Sequence, residues 1–290
     1  MTWHMKNKML FAFQWIGIFL TTVSPVSSQK RNVSSFVTTP VQIHKAVAAN
    51  NSVAQNETKP AAGESKLLWS SEPFDHKLFI ENNGQFNENN NTNDNIIYGA
   101  QVGRAFVYFT GKGVIYRYQD IGKPRKHEEK ERGGKRDEDD NTPAPVQYAN
   151  IEWVGANANP VIEASERQSY DYIYPSGKSG SFSVSIYKKI TYKNLYPGID
   201  VEYTFPKNKD GIKYSLIVHP GADLSVVKIK YQSTGGEISI DNKGNAVVPT
   251  GLGDITDHAP VSFYEEGGNV NVKYSIDGST ESFIAPNSYD

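Results

Sequence analysis

The sequence predicts an all-β fold: an antiparallel β-sandwich with long loops, built as one sandwich or as two packed sub-sandwiches. Three observations predict it. Apolar residues alternate along many short segments, Gly, Asn, Asp and Pro turns separate those segments, and no stretch keeps a helical period beyond a turn or two. Residues 190–223 show the pattern most fully. Ile199, Val201, Tyr203 and Phe205 share one face of an extended segment and Asp200, Glu202 and Thr204 the other, while Ile212, Tyr214, Leu216 and Val218 share a face of the next. The Pro/Lys/Asn/Asp/Gly turn between them makes a β-hairpin. Two such one-sided strands need an apolar layer to lie on.

The chain opens on Lys6 and Lys8 ahead of an apolar run from Met9 to Val23, followed by the small residues Val26-Ser27-Ser28. This is the layout of an export signal over residues 1–28, cut near Gln29, and the run is too short for a good membrane span. Residues 29–66 are Ser-, Thr-, Asn-, Ala-, Gln- and Pro-rich without a sustained period, and read as a disordered leader. The ordered module is expected over residues 67–290. Its first strand is Lys77-Leu-Phe-Ile80, with a turn at Glu81-Asn-Asn-Gly-Gln85 and an Asn-rich loop after it. Residues 104–109 and 114–118 form a hairpin across Gly111-Lys-Gly113. Residues 121–145 mix both signs of charge densely and form a mobile insertion between strands.

Beyond the insertion, strand signals recur. Ala149, Ile151 and Trp153 alternate, as do Tyr170, Tyr172 and Tyr174, and Phe182, Val184 and Ile186. Asp223 caps one helical turn before a strand over residues 226–231. Residues 238–240 and 245–248 pair across an Asp241-Asn-Lys-Gly244 turn, and residues 261–264 pair with 270–276. Residues 282–285 form a last strand, and Tyr289-Asp290 leads toward another, so the sequence is expected to be a fragment of something longer.

Composition narrows the function. The 290 residues include no cysteine and carry a formal net charge of −2. An exported domain without disulfides needs a large core, and a domain of roughly 200 residues buries about 70% of its unfolded surface. Near-neutral charge excludes a nucleic-acid partner, which needs a clustered basic surface. With the signal removed, no transmembrane segment is expected.

Several separated motifs carry a family resemblance: Phe79-Ile-Glu-Asn-Asn-Gly-Gln85, Gly113-Val-Ile-Tyr116, residues 190–200, Lys213-Tyr214 and Pro220-Gly-Ala-Asp223. Over about residues 75–290 the chain resembles an uncharacterised N-terminal module found ahead of SBBP β-propeller repeats and immunoglobulin-like domains in large exported proteins of Bacteroidetes-type bacteria. The resemblance implies a β-rich extracellular module in a protein often carrying a type IX secretion signal. It brings no catalytic motif. Where relatives often have an Asn/Asp-Pro turn and a nearby Trp, this sequence has Pro175-Ser-Gly-Lys-Ser-Gly180.

The chemistry-bearing residues are thin. Without cysteine there is no thiol nucleophile or Cys-based zinc site, and His76, His219 and His258 show no His-x-x-x-His spacing, so no metal and no cofactor is expected. Asp257-His258 suggests a triad, but neighbours on an extended chain point to opposite faces and no Gly-x-Ser-x-Gly elbow occurs. Gly177-Lys178-Ser179 leads into a strand rather than a helix, which fails as a phosphate loop. Gly251-Leu-Gly253 fails likewise as a dinucleotide fingerprint. Asp200 and Glu202 share a polar face, as a carboxylate pair would, although a cross-strand ion pair with Lys213 is the simpler account. Asp241 to Asn245 is a turn before it is a calcium loop.

The row Tyr170, Tyr172, Tyr174 is the ligand candidate, because aligned tyrosines stack on sugar rings or meet a protein partner. The 17 tyrosines of the chain also point to packing in strands. The expectation is therefore a non-catalytic extracellular module with a structural, adhesive or interaction role. Its partners are downstream domains of the same or a longer polypeptide, glycans or other envelope proteins. A carbohydrate-binding accessory module is the second reading, and an exported glycoside hydrolase using Asp200 or Glu202 the third.

Overall fold

The computed structural model describes residues 9–12, 16–19, 41–42, 77–87, 91–103, 105–119, 146–176, 180–207, 211–251 and 253–286. Most of the expected signal and leader, residues 67–76, the charged insertion and Gly177-Lys178-Ser179 lie outside them. The described residues form an all-β structure without an α-helix, in which every pairing between named strands is antiparallel. Strands β1 (Met9–Ala12), β2 (Ile16–Phe19) and β3 (Val41–Gln42) are followed by β4 (Phe79–Glu81), β5 (Ile96–Val102), β6 (Ala105–Thr110), β7 (Gly113–Gln119) and β8 (Val146–Trp153). Next come β9 (Val161–Arg167), β10 (Tyr172–Ser176), β11 (Gly180–Val184), β12 (Ile186–Tyr196), β13 (Ile199–Thr204) and β14 (Lys213–Val218). A 3-10 turn, Leu224–Val226, precedes β15 (Lys228–Gln232), β16 (Ser239–Ile240), β17 (Ala246–Val248) and β18 (Asp254–Asp257). The last four are β19 (Val261–Tyr264), β20 (Asn269–Val270), β21 (Lys273–Asp277) and β22 (Thr280–Ile284).

One large sheet runs β20-β19-β1-β14-β13-β12-β4-β5-β6-β7-β8-β15-β22-β21, with β9 alongside β12. Two small sheets, β11-β10-β3 and β16-β17-β18-β2, complete the structure. The long strand β12 joins two arms of the large sheet, pairing with β4 at Ile186 and Tyr187 and with β13 from Lys189 onward. The arms face each other across the main core. Phe109 meets Tyr203 at 5.1 Å between ring centroids, Trp153 meets Tyr214 at 5.8 Å, and the Tyr192 hydroxyl donates to the Thr110 carbonyl at 2.8 Å.

The expected hairpin of residues 199–218 is present, with Ile199 opposite Val218, Val201 opposite Leu216 and Tyr203 opposite Tyr214, all buried. The hairpins β6–β7 and β16–β17 also stand where the alternation puts them. The expected strand 270–276 is instead two strands: β20 pairs with β19, β21 pairs with β22, and Val272 is buried between them. A change of partner strand, from β19 to β22 at the other end of the sheet, needs that break.

The far face of β4 to β7 carries a second core of Leu78, Ile96, Tyr108 and Ile115, covered by the β10–β11 hairpin. In β5, Ile96 belongs to this core and Tyr98 to the main one. Residues two apart normally share a face; the register shift between Ile96 and Tyr98 separates them.

The motif residues fix turns. Asn82 accepts from the backbone N–H of Gly84 at 3.0 Å and of Phe86 at 3.2 Å, and donates to the Ile96 carbonyl at 2.7 Å. The side chain of Asp223 caps the 3-10 turn, accepting from the Ser225 N–H at 2.9 Å. Gly198 has φ +69°, and a Cβ there would stand 2.9 Å from the Ala222 Cβ, so the turn 196–199 rests directly on the turn 220–223. Gly198→Ala is expected to destabilise the protein by about 2 kcal/mol, from the left-handed backbone and the close contact together. Chemical denaturation measures this, and pairing the change with Ala222→Gly recovers the contact part alone.

Candidate functional site: a buried tyrosine–carboxylate cluster

The tyrosine row lies on one face, but that face is turned inward. Tyr172 and Tyr174 are buried in the second core, Tyr174 stacked with Phe182 and edge-on to Phe86. Tyr170 is the half-exposed member, its ring 6.3 Å from that of Tyr172.

Asp200 and Glu202 share a face as expected, but the cations beside them come from β12 rather than from Lys213, which sits opposite Thr204. Lys193 Nζ lies 3.0 Å from Asp200 Oδ2, and Lys189 Nζ lies 3.1 Å from Glu202 Oε2. The second oxygen of Asp200 accepts from the Asn194 N–H at 2.8 Å, and His219 Nε2 stands 3.4 Å from Asp200 Oδ2. Asn194 is left-handed, with φ +47°, inside the register shift between Tyr192 and Tyr196. Asp200 therefore holds a bulge. Burial draws its acidity toward the neutral form, but Asn194, Lys193 and His219 together outweigh burial and keep its pKa below the usual 3.8.

Asp241 is a turn residue. Its carboxylate accepts from the backbone N–H of Lys243 and Asn245 and from the Asn245 side chain. Among the described residues no three His, Asp or Glu side chains gather as a metal cluster.

Asp257 is the surprise. It closes β18 completely buried, and its side chain turns away from His258 toward three tyrosines. Asp257 Oδ2 lies 2.7 Å from the Tyr214 hydroxyl and 3.1 Å from that of Tyr231, and Oδ1 lies 2.9 Å from that of Tyr274. The Tyr274 hydroxyl also lies 2.8 Å from the His258 carbonyl, and the Tyr231 hydroxyl 3.4 Å from Glu281 Oε2. Glu281 is fully buried too, and its Oε1 has no hydrogen-bond partner.

The Tyr214 and Tyr274 hydroxyls also hydrogen-bond each other, so the contacts outnumber the three protons that the phenols bring. A carbonyl only accepts, so when Tyr274 donates to His258 its contact with Asp257 needs a proton on the carboxyl. The Tyr231–Glu281 contact needs one on Glu281 by the same count. Acidity agrees with the geometry. Burial lifts Asp257 from 3.8 to about 7, and burial together with the charge of Asp257 pushes Glu281 well above 4.5. At mildly acidic pH the cluster holds protons that the unfolded chain releases.

Alternation contains the signal for this cluster. Asp257 falls in phase with buried Ile255, and Glu281 with buried Phe283, so each acid occupies a position where its strand places apolar side chains. Reading Asp257 only against its neighbour His258 misses that phase.

A family profile described as "Domain of unknown function (DUF7948)" matches residues 79–290. The chain belongs to the DUF7948 family. No curated protein and no solved structure matches it. The DUF7948 match begins at the first residue of β4 and contains all five members of the cluster.

For Asp257, a folded-state pKa above the unfolded one means stability that is complete below about pH 4 and lost as pH rises toward 7, and the raised pKa of Glu281 adds a loss of the same sign. Asp200 has the opposite sign: its lowered pKa contributes above about pH 4 and is lost as pH falls below it. The melting temperature is therefore expected to peak near pH 4 and fall by pH 8. Calorimetry across that range checks this, and Asp257→Asn, which cannot ionise, flattens the alkaline limb. Tyr274→Phe is expected to cost about 1–3 kcal/mol, as it takes a hydrogen-bond partner from the His258 carbonyl and from the buried Asp257 carboxyl.

Proposed function

We propose that this chain supplies a non-catalytic extracellular module to a bacterial cell-surface or secreted protein, with a structural, adhesive or interaction role beside other domains. The observation that carries the reading is how the motif residues are used. Asn82, Gly198, Asp200 and Asp223 each hold a turn or bulge, and among the described residues the gathering of acids and phenols at Asp257 and Glu281 is sealed inside the core, away from any substrate. Chemistry on a bound molecule needs groups that reach it.

Export is supported by the charged start, apolar run and small residues of the first 28 positions. The resemblance to modules ahead of SBBP propeller repeats in type IX-secreted proteins supports a surface setting. A cysteine-free fold stabilised by a large tyrosine-rich core suits that setting, because it does not depend on redox conditions.

Fractionation and protease shaving of bacteria expressing the full chain test the reading. The expected result is a product lacking about the first 28 residues and accessible from outside; an intact Met1 in the cytoplasm refutes it. A panel of soluble glycans is expected to show no binding that depends on Tyr170. Binding abolished by Tyr170→Ala, with folding retained, would transfer the protein to the carbohydrate-binding class.

A further inference from the structure

Strand β1 occupies an interior position in the large sheet, although it lies some sixty residues ahead of the DUF7948 match. It pairs with β14 on one side, from Met9 opposite Val218 to Ala12 opposite Ser215, and with β19 on the other, from Met9 opposite Tyr264 to Ala12 opposite Val261. The following strand, β2, covers the edge of β18 from Asp254 to Asp257. Strands β14 and β19 do not pair with each other, so the shared domain contains a one-strand gap that only a segment from outside it fills.

We infer that the gap between β14 and β19 is a strand-acceptor slot which, in the exported protein, takes an extended apolar β-strand from a partner polypeptide. The inference rests on the export reading above, in which the apolar run containing β1 is removed. Removal bares two backbone edges at once, and unpaired edges recruit strands. The seated strand defines the chemistry of the occupant. It runs antiparallel to both neighbours, and its alternate residues stand opposite Leu216 and Val218, which are core members, so those positions must be apolar. Residues opposite Ile217 and Phe263 lie on the other face, where both neighbours are half-buried. Ser262, on the core side of the slot, has a buried hydroxyl without a hydrogen-bond partner.

The full chain carries its own test. A specific protease site placed within residues 29–66 allows the folded protein to be cut after purification. The expected result is that the N-terminal fragment stays bound through gel filtration and is displaced by an excess of a labelled synthetic peptide of residues 7–21. The same peptide carrying Phe11→Pro, which removes a ladder N–H, is expected to bind at least tenfold more weakly. A cysteine at Ser262 is expected to form a disulfide with a peptide cysteine at position 11, its register partner.

Immediate loss of the fragment with an unchanged melting temperature and no peptide uptake overturns the slot. Closure of the vacated chain into a dimer overturns the partner strand, as does an exported protein that retains Met1 with its own strand in place. The mass of the exported chain reads export, and peptide exchange reads the slot, so failure of one is distinguishable from failure of the other.

Discussion

The fold depends on the five-member cluster of Tyr214, Tyr231, Asp257, Tyr274 and Glu281. Its members come from β14, β15, β18, β21 and β22, so it ties one arm of the large sheet to the other and both to the small sheet that carries β18. The ladders run along each arm; the cluster runs across the interior between them. Burying two carboxyl groups costs several kcal/mol when they are charged and far less when they are neutral and hydrogen-bonded. The contacts outnumber the protons of the three phenols, and neutral carboxyls bring two more. An apolar replacement would fill the space, but it would not fix which strands meet, and a hydrogen-bonded polar network has that directional content.

Around this fastening, three other phenols of the main core tie distant segments together. Tyr192 reaches the Thr110 carbonyl, Tyr196 reaches the carbonyls of Val154 and Lys228, and Tyr203 accepts from the Trp153 indole at 3.0 Å. Each ring fills apolar volume while its hydroxyl anchors a distant piece of chain. Phenols bonded across the core do the work that disulfides do in many exported domains of similar size. Tyr172 and Tyr174 are two more core phenols, placed on the opposite side of the β4–β7 sheet.

Where one face of a strand is buried and the other wet, the sequence alternates and the strand is readable, as in β6, β7, β13 and β14. Elements that break this condition are not. Strand β9 is exposed on much of both faces, with Val161 62% exposed, so its sequence carries no one-sided pattern although it pairs along β12. In β5 the bulge after Ile96 changes the face midway, and Gly99 lies under the Phe86 ring, which a Cβ would strike at 2.6 Å. The cluster was hidden for a different reason. Its acids lie far apart in sequence and meet only through topology, so no local motif joins Asp257 to Glu281.

The cluster and the strand-acceptor slot share elements. Tyr214 and the slot residues Ser215–Val218 belong to β14, and Asp257 is the last paired residue of the β18 edge that β2 covers, opposite Ile16. Whatever fills the slot shields the backbone of β14, on which Tyr214 is mounted, while β2 covers the β18 edge that carries Asp257, and water reaching that edge favours ionised Asp257. By linkage, the same interaction acts in reverse: protons held by the cluster stabilise the strand geometry that the slot presents, so strand binding and proton binding favour each other. A domain built this way is held most firmly when both its interior protons and its missing strand are in place, and the second of these is supplied from outside the family's own boundaries.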